Sequence, residues 1–166
     1  ADLRFVEVNL STVQCMDTQL PERLLSIAEG YGVSPSEINL EITESAMVYS
    51  MNTMRSVMEE LTKDGFSFAL DDFGTGRANL SYLQNFPFRI IKVDKSFLWA
   101  EGESEDNHVI FENMLSLIRG LRREAVAEGV ETKEQRDMLI SHGVEYLQGF
   151  YYSKPVPEQE FMKYLE

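Results

Sequence analysis

The chain contains 166 residues, of which 43% are hydrophobic and 26% charged, and its formal net charge at pH 7 is -13. This composition is typical of one folded domain with a sizeable core and excludes a largely disordered chain. The negative charge disfavours general nucleic-acid binding, which would need a basic face. No apolar run approaches the roughly 20 residues of a membrane helix, so no membrane segment is predicted.

Six predicted strands alternate with helical patterns along the chain. Apolar, alternating or β-branched runs predict strands at 4–11, 37–42, 66–70, 89–94, 125–127 and 144–147. Apolar residues at helical spacing predict helices within 20–31, 51–61, 80–86, 110–121, 132–139 and 157–165. The methionines of the second helix are interpreted as core residues rather than as part of a cofactor site.

Local signals in the second half of the chain add detail to this pattern. The acidic segment 101–106 is predicted to be a solvated loop, with Trp99 partly buried in the same region. Thr132 and Gln135 fit a capping box at the start of a helix. The helix predicted at 110–121, directly after the acidic segment, is expected to bury Ile110, Met114, Leu117, Ile118 and Leu121.

Cysteine and histidine are scarce in the chain. Cys15 is the only cysteine, so no internal disulfide can form, and a reducing cytoplasmic setting is predicted. A catalytic thiol is not expected. His108 and His142 have no sequence partner at metal-binding or triad spacing. Both fall in predicted helices and are interpreted as surface or packing residues.

Two adjacent carboxylates, Asp71 and Asp72, directly follow the predicted strand at 66–70. Side chains that emerge at the end of a strand can converge on a divalent cation, for which carboxylate oxygens are good ligands. Gly74 and Gly76 then allow a tight backbone turn. An ordinary polar turn is the alternative interpretation, and the other strand ends are needed to decide between the two.

The strand-helix alternation predicts a parallel sheet, either open and doubly wound or closed into a barrel. Each predicted strand is followed by a group able to bind a cation or a phosphate. These groups are Asn9, Glu41, Asp71 with Asp72, Lys92, Glu128 and Gln148. An open sheet concentrates such groups near one switch point, whereas a (β/α)8 barrel gathers all its strand ends at one mouth. The set therefore favours a barrel.

Each of these groups also has an ordinary structural interpretation. Asn9 can cap a turn, and Glu41 can be a solvated acid near a helix start. Lys92 can be an exposed strand residue, and Gln148 can simply precede a glycine turn. Their shared position at the ends of predicted strands is what favours a functional site.

Six short motifs are distributed over nearly the whole length of the chain. They are Val8-Asn9-Leu10-Ser11, Glu41-Ile42-Thr43-Glu44-Ser45, Asp71-Asp72-Phe73-Gly74-Thr75-Gly76, Ile91-Lys92-Val93-Asp94-Lys95-Ser96-Phe97, Ala127-Glu128-Gly129-Val130-Glu131-Thr132 and Gln148-Gly149-Phe150. Together, and in this order, they resemble the EAL-domain family of bacterial cyclic-di-GMP phosphodiesterases.

The resemblance implies an α/β fold, a partial (β/α)8 TIM-type barrel with about six of its eight strand-helix units present. It also implies hydrolysis of one phosphodiester of cyclic di-GMP to linear pGpG, with two Mg²⁺ or Mn²⁺ ions as cofactors. Hard oxygen ligands suit these ions, and a pair of them can activate water and stabilise the attacking and leaving oxygens.

The family pattern also implies a set of metal ligands. Asn9, Glu41 and Asp71 resemble the ligands of one ion. Asp71 is expected to bridge to a second ion, which Asp72 also approaches. Glu128 resembles an outer metal ligand.

Catalytic and supporting roles follow from the same resemblance. Lys92, Glu128 and Asp72 are the expected catalytic residues. Because an ammonium among carboxylates should stay protonated, Lys92 is expected to stabilise charge and position the water rather than act as a base. Gln148 resembles a residue that contacts the metal through water, and Glu44 resembles the acid that anchors the glycine-containing loop.

The Glu-Ala-Leu motif that names the family does not occur in the chain. Its strand belongs before Val8-Asn9, so residues 1–166 are expected to be a single, N-terminally truncated EAL-type domain. The absent strand is expected to carry another metal-ligating glutamate, and its loss to impair this chain alone. Unpaired strand edges predict a homo-oligomer or association with the missing N-terminal segment.

Cyclic di-GMP is therefore the expected partner, and the cytoplasm the expected location, although a parent protein can be membrane-anchored elsewhere. The first alternative is a module that binds cyclic di-GMP or a partner protein without turnover. The second is an unrelated metal-dependent barrel enzyme that acts on another phosphate ester.

Overall fold

A computed structural model describes residues 3–43, 51–75, 80–100 and 104–165. The chain divides into two compact units, residues 4–90 and residues 91–166 with 1–3. Each unit consists of strands that alternate with helices. No helix in the described ranges has both the length and the apolar character needed to cross a membrane.

The first unit contains three neighbouring strands, β1 (Val6–Asn9), β2 (Ile38–Thr43) and β3 (Ser67–Phe73). They run parallel, with Asn9 opposite Glu41 and Thr43 opposite Asp71. Both faces of β2 and β3 are largely buried, which is typical of parallel strands covered by helices. The carboxyl ends of the three strands therefore meet at one edge of the unit.

A buried polar bridge supports this register. The side-chain amide of Asn39 donates to Oε1 of Glu7 at 3.0 Å, and its oxygen accepts from the Ser67 hydroxyl at 2.8 Å. Asn39 is fully buried, so these bonds offset the cost of removing its amide from water. A one-residue slip of any strand would break the bridge.

Helices connect and cover the strands of the first unit. They are α1 (Thr12–Cys15), α2 (Leu20–Tyr31), a short 3₁₀ helix (Pro35–Glu37), α3 (Met51–Lys63) and α4 (Leu80–Asn85). Met54, Met58 and Leu61 are fully buried on one face of α3, as the methionine stripe predicts. Cys15 is also fully buried, and it forms no disulfide.

The boundary between the two units falls within β4 (Ile90–Val93). Ile90 belongs to the first unit, and the second unit continues from Ile91. It continues with β5 (Glu124–Ala127) and β6 (Tyr146–Leu147), which are parallel partners. The backbone N–H of Glu128 donates to the carbonyl of Val93 at 3.2 Å, which places the end of β5 beside β4.

Four helices lie in the described part of the second unit. They are α5 (Lys95–Ala100), α6 (Glu105–Gly120), α7 (Lys133–Ser141) and α8 (Glu158–Leu165). The predicted capping box at Thr132 and Gln135 is present at the start of α7. The N-cap of α6 is Ser104, whose side chain accepts from the N–H of Asn107.

The six predicted strands and six predicted helices occur in the predicted order, but α1 and α5 are additional helices and several details differ. β3 extends to Phe73, so Asp71 and Asp72 lie within the strand rather than after it, and Glu41 and Lys92 likewise lie within β2 and β4. Trp99 lies in α5 and not in a loop, and the acidic residues 105 and 106 form the first turn of α6. Acidic side chains there interact favourably with the positive end of the helix dipole.

The buried face of α6 also differs from the predicted one. Phe111, Leu115 and Ile118 are buried, whereas Ile110 is about half exposed. The helix carries two overlapping apolar stripes at three- and four-residue spacing, and both contain Ile118. Packing within the unit selects the stripe that includes the large aromatic ring of Phe111.

Candidate metal centre and catalytic groups

The first group of candidate residues lies at the carboxyl ends of β1, β2 and β3. Asn9 is the last residue of β1 and lies opposite Glu41 in the register. The following N–H, that of Leu10, donates to the carbonyl of Glu41 at 2.8 Å. The Asn9 side chain is exposed and Glu41 is 8% exposed, so this edge offers one accessible amide and one buried carboxylate.

Glu41 and Asp71 bring two carboxylates close together. Each offers one oxygen, and these two atoms lie within 4.8 Å of one another. Asp71 is partly buried, and its Oδ1 atom is shielded from solvent. A single Mg²⁺ ion binds oxygens at about 2.0–2.1 Å, so two oxygens at this separation need only a small adjustment to share an ion. The donor set fits a hard divalent cation.

Asp72 has an unusual backbone conformation at the end of β3. Its φ is 57°, in the left-handed region, which Asp tolerates better than most residues. Its carbonyl accepts hydrogen bonds from the N–H of Thr75 at 3.2 Å and from the Thr75 hydroxyl at 2.9 Å. Gly74 follows with φ 98°, as predicted for a tight turn. Gly76 and Glu44 lie outside the described residues.

The second group of candidate residues belongs to the second unit and centres on an ion pair. Nζ of Lys92 lies 2.9 Å from Oε1 of Glu128, and the two side chains are 4% and 18% exposed. Lys92 projects from β4 and Glu128 follows β5, so the pairing depends on the neighbouring strand ends. The alternative interpretation of Lys92 as an exposed strand residue is therefore wrong.

Asp94 joins this second group, although the sequence did not single it out as a ligand. One of its carboxylate oxygens lies within 4.8 Å of a Glu128 carboxylate oxygen. Its Oδ1 also accepts from the N–H of Ser96 at 2.9 Å, at the start of α5. The available signal was its position directly after β4, two residues beyond Lys92.

Gln148 follows β6, and its backbone completes the end of the sheet in the second unit. Its N–H donates to Ala127 at 2.9 Å, and its carbonyl accepts from Val130 at 3.0 Å. Its side chain is exposed. The next residue has to be glycine, because a Cβ on Gly149 would overlap the backbone of Val130.

The structure thus pairs Glu41 with Asp71 in one unit and Lys92 with Glu128 in the other. Asn9 is aligned with Glu41 along the strands, whereas the side chain of Gln148 is simply accessible at a strand end. Cys15 is fully buried, and this burial raises the pKa of its thiol to about 11. That direction agrees with the prediction that it is not a nucleophile.

Comparison with known proteins gives the same family over most of the chain. The EAL domain family model matches residues 1–155. Cyclic di-GMP phosphodiesterase PdeL of Escherichia coli K12 is 37% identical over 157 residues, which cover 95% of this chain and 43% of PdeL.

Solved structures are also similar to this chain over most of its length. The EAL enzyme Bd1971, in a form with cAMP and cyclic di-GMP bound, is 26% identical with a TM-score of 0.92 and covers 98% of this chain and 43% of its own. Klebsiella pneumoniae BlrP1 is 30% identical over 91% of this chain and 39% of its own, with TM-scores of 0.83 for its manganese and 0.82 for its calcium complex with cyclic di-GMP.

The chain spans less than half the length of each of these proteins. The extent of the match to Bd1971 confirms the α/β fold class, a partial (β/α)8 barrel of the TIM type. The family match includes the strand-end residues from Asn9 to Gln148. The six motifs lie within the matched residues, and the chain belongs to the EAL domain family.

Proposed function

We propose that this chain provides metal-binding and catalytic groups of a cyclic-di-GMP phosphodiesterase, a hydrolase that opens the cyclic dinucleotide to linear pGpG. The observation that carries the proposal is the close approach of the Glu41 and Asp71 carboxylates at the ends of β2 and β3. Family membership supports it, because PdeL is a cyclic di-GMP phosphodiesterase.

The residues of the first unit would hold two Mg²⁺ or Mn²⁺ ions. Asn9, Glu41 and Asp71 would ligate one ion, and Asp71 with Asp72 would contribute to the second. All four residues offer hard oxygen ligands, which these ions prefer. When bound, such ions supply a water nucleophile and neutralise charge on the reacting phosphate. The manganese complex of BlrP1 supports this choice of ion class.

In the second unit, Glu128 would act as an outer ligand and Gln148 would contact the centre through water. Lys92 would hold the reacting water and stabilise negative charge on the phosphate. Its short contact with Glu128 supports a cationic role, because a carboxylate partner favours the charged form of an amine. Asp94, close to the Glu128 carboxylate, is added here to the candidate ligands.

Three further properties belong to the same proposal. Residues 1–166 would form one EAL-type domain, because the family model runs through both units. The domain would work in the cytoplasm. It would also associate, either with a second copy or with further EAL-domain strands, through β1, whose Val6 and Val8 are 48% and 46% exposed.

Chromatography of cyclic di-GMP incubated with the purified chain and Mg²⁺ tests the proposal. Asp106→Asn, which changes an exposed acid in the first turn of α6, should form linear pGpG at the same rate as the unchanged chain. Asp71→Asn should give no product, which also controls for contaminating enzymes. Binding of intact nucleotide without product would favour the non-catalytic module. Absence of both binding and product would contradict the proposal.

A further inference from the structure

Gly129, in the second unit, lies in very close contact with Lys95, the first residue of α5. Its φ of 69° is in the left-handed region, which favours glycine. A Cβ placed on Gly129 would lie 2.4 Å from the Cβ of Lys95. Non-bonded carbon atoms pack at about 3.5–4.0 Å, so this distance is an overlap. The approach of Lys95 is therefore possible because residue 129 has no side chain.

Each of these two contacting residues is the neighbour of an acid from the second group of candidate residues. Gly129 directly follows Glu128, and Lys95 directly follows Asp94. Carboxylate oxygens of Glu128 and Asp94 lie within 4.8 Å of one another. Glu128 also pairs with Nζ of Lys92 at 2.9 Å. The glycine contact is thus one residue away from both acids that meet there.

Electrostatic attraction does not explain why Asp94 and Glu128 lie so close to each other. Two carboxylates repel, and the cation that compensates Glu128 is Lys92. Contact between two backbone segments can hold like charges together against this repulsion, as preorganised sites require. The packing of Lys95 on Gly129 provides such a contact, because it joins the segment that carries Asp94 to the segment that carries Glu128.

The segment that contains Gly129 is also fastened on both sides. The N–H of Glu128 donates to the carbonyl of Val93 at 3.2 Å, and the N–H of Val130 donates to the carbonyl of Gln148 at 3.0 Å. Because both neighbours of Gly129 are held, the segment cannot shift as a whole to make room for a Cβ. An added Cβ would instead displace the start of α5 or turn Glu128 away from its partners.

We propose that Gly129 is a positioning residue for the phosphodiesterase reaction, because it lets Lys95 pack on its backbone and thereby holds the Glu128 carboxylate within reach of Lys92 and Asp94. This inference rests on the proposed function and adds to it a residue without a functional group of its own. A small misplacement of a charged group changes reaction rates strongly. The alternative is an ordinary turn glycine, which would affect stability alone.

Gly129→Ala and Gly143→Ala form a matched pair that tests the proposal. Gly143 has a φ of 71°, but the nearest atom to a Cβ there is 3.8 Å away, so alanine causes similar backbone strain without an overlap. In the Gly129→Ala background, Lys95→Gly removes the opposing Cβ and leaves the Lys95 Cα at 3.5 Å, an ordinary contact. Lys95→Ala keeps the opposing Cβ. We therefore expect Lys95→Gly, and not Lys95→Ala, to reverse the effect of Gly129→Ala.

The ammonium group of Lys92 reports the position of Glu128 without metal or nucleotide. The Lys92 side chain is 4% exposed and paired, so its ammonium protons should exchange slowly with water and give a ¹H–¹⁵N NMR signal. The signal is assigned by its loss in Lys92→Arg. Gly129→Ala should broaden or remove it, and Gly143→Ala should keep it. Circular dichroism and urea denaturation establish whether each variant is folded.

Hydrolysis of cyclic di-GMP provides a second readout. In folded Gly129→Ala protein, kcat should fall at least about ten-fold with little change in KM, because a misplaced charge acts mainly on the transition state. Gly143→Ala should keep kcat, and Lys95→Gly should restore it in the Gly129→Ala background.

Folded Gly129→Ala protein with an unchanged Lys92 signal would overturn the proposal, and so would equal recovery with Lys95→Ala and Lys95→Gly. If Gly129→Ala does not fold, the double variant with Lys95→Gly decides. A folded double variant that shows the Lys92 signal supports the proposal, whereas an unfolded one, or one without the signal, contradicts it. The signal needs neither Mg²⁺ nor nucleotide, so failure here is distinguishable from failure of the phosphodiesterase proposal.

Discussion

The ammonium group of Lys92 and the carboxylate of Glu128 form a 2.9 Å ion pair in which the lysine side chain is only 4% exposed. Two charges at this depth depend on each other, because removal of either leaves the other poorly solvated. The pair therefore links the stability of the second unit to the charge of its proposed catalytic lysine.

Substitutions of Lys92 test whether the protein needs the positive charge of this side chain or its ability to accept a proton. Lys92→Met should lower the free energy of unfolding by about 3–5 kcal/mol, because it leaves the Glu128 carboxylate without this cation. Urea denaturation measures the loss. Lys133→Met removes the exposed partner of Asp137 and should cost less than about 1 kcal/mol. Lys92→Arg should keep most of the hydrolysis; complete loss of activity in a folded Lys92→Arg protein would argue for a base role.

Asp71→Asn should remove the stabilisation of the folded chain by Mg²⁺. Because the Glu41 and Asp71 oxygens lie within 4.8 Å, the substitution removes a like-charge repulsion, and without metal the variant should be at least as stable as the unchanged chain. Mg²⁺ at about 100 times its dissociation constant should stabilise the unchanged chain by about 2.7 kcal/mol. Thermal melts with and without Mg²⁺ measure both effects. Equal Mg²⁺ stabilisation of the two proteins would remove Asp71 from the ligand set.

Gly149→Ala tests the close approach at the end of β6. The added Cβ would overlap the Val130 backbone, which cannot rotate away as a side chain can. We expect a loss of more than about 2 kcal/mol in unfolding free energy. Gly30→Ala provides the matched comparison, because a Cβ there meets nothing within 4 Å inside α2 and should stabilise by about 0.5–1 kcal/mol. Similar effects of both substitutions would show that the approach is looser than described.

Because the Cys15 thiol is buried, we expect the folded chain to lose stability at alkaline pH. Burial raises the pKa of its thiol from 9.0 to about 11, so the folded chain holds the proton more tightly than the unfolded chain. This contribution is complete below pH 9.0, decreases as pH rises toward about 11, and amounts to roughly 2–3 kcal/mol by linkage. Cys15→Ala cannot titrate, so its stability deficit relative to the unchanged chain should narrow over this range in urea denaturation. A constant deficit would contradict the prediction.

The proposed association through β1 is also measurable. Val8→Lys places a charge on an exposed strand position and should shift sedimentation toward the monomer, because an inserted charge opposes strand pairing and apolar contact. Val13→Lys introduces the same residue on α1, where Val13 is 83% exposed, and should leave association unchanged. A protein that is monomeric at all concentrations before any substitution would sink the association proposal.

The sequence by itself determined the order of strands and helices, the capping box at Thr132 and the family. These features depend on local periodicity, on short hydrogen-bonding patterns and on motifs that stand in one order along the chain. The strand-end positions of Asn9 and Gln148 followed from the same local signals.

Tertiary structure decided the features that depend on long-range neighbours. Pairing with β2 carries β3 through Asp71, and packing selects the Phe111 face of α6. The ion pair of Lys92, the approach of Asp94 to Glu128 and the edge-on approach of the two histidine rings each join residues from different elements. A spacing along the chain specifies none of these contacts, because they arise only when separate strands and helices are packed side by side.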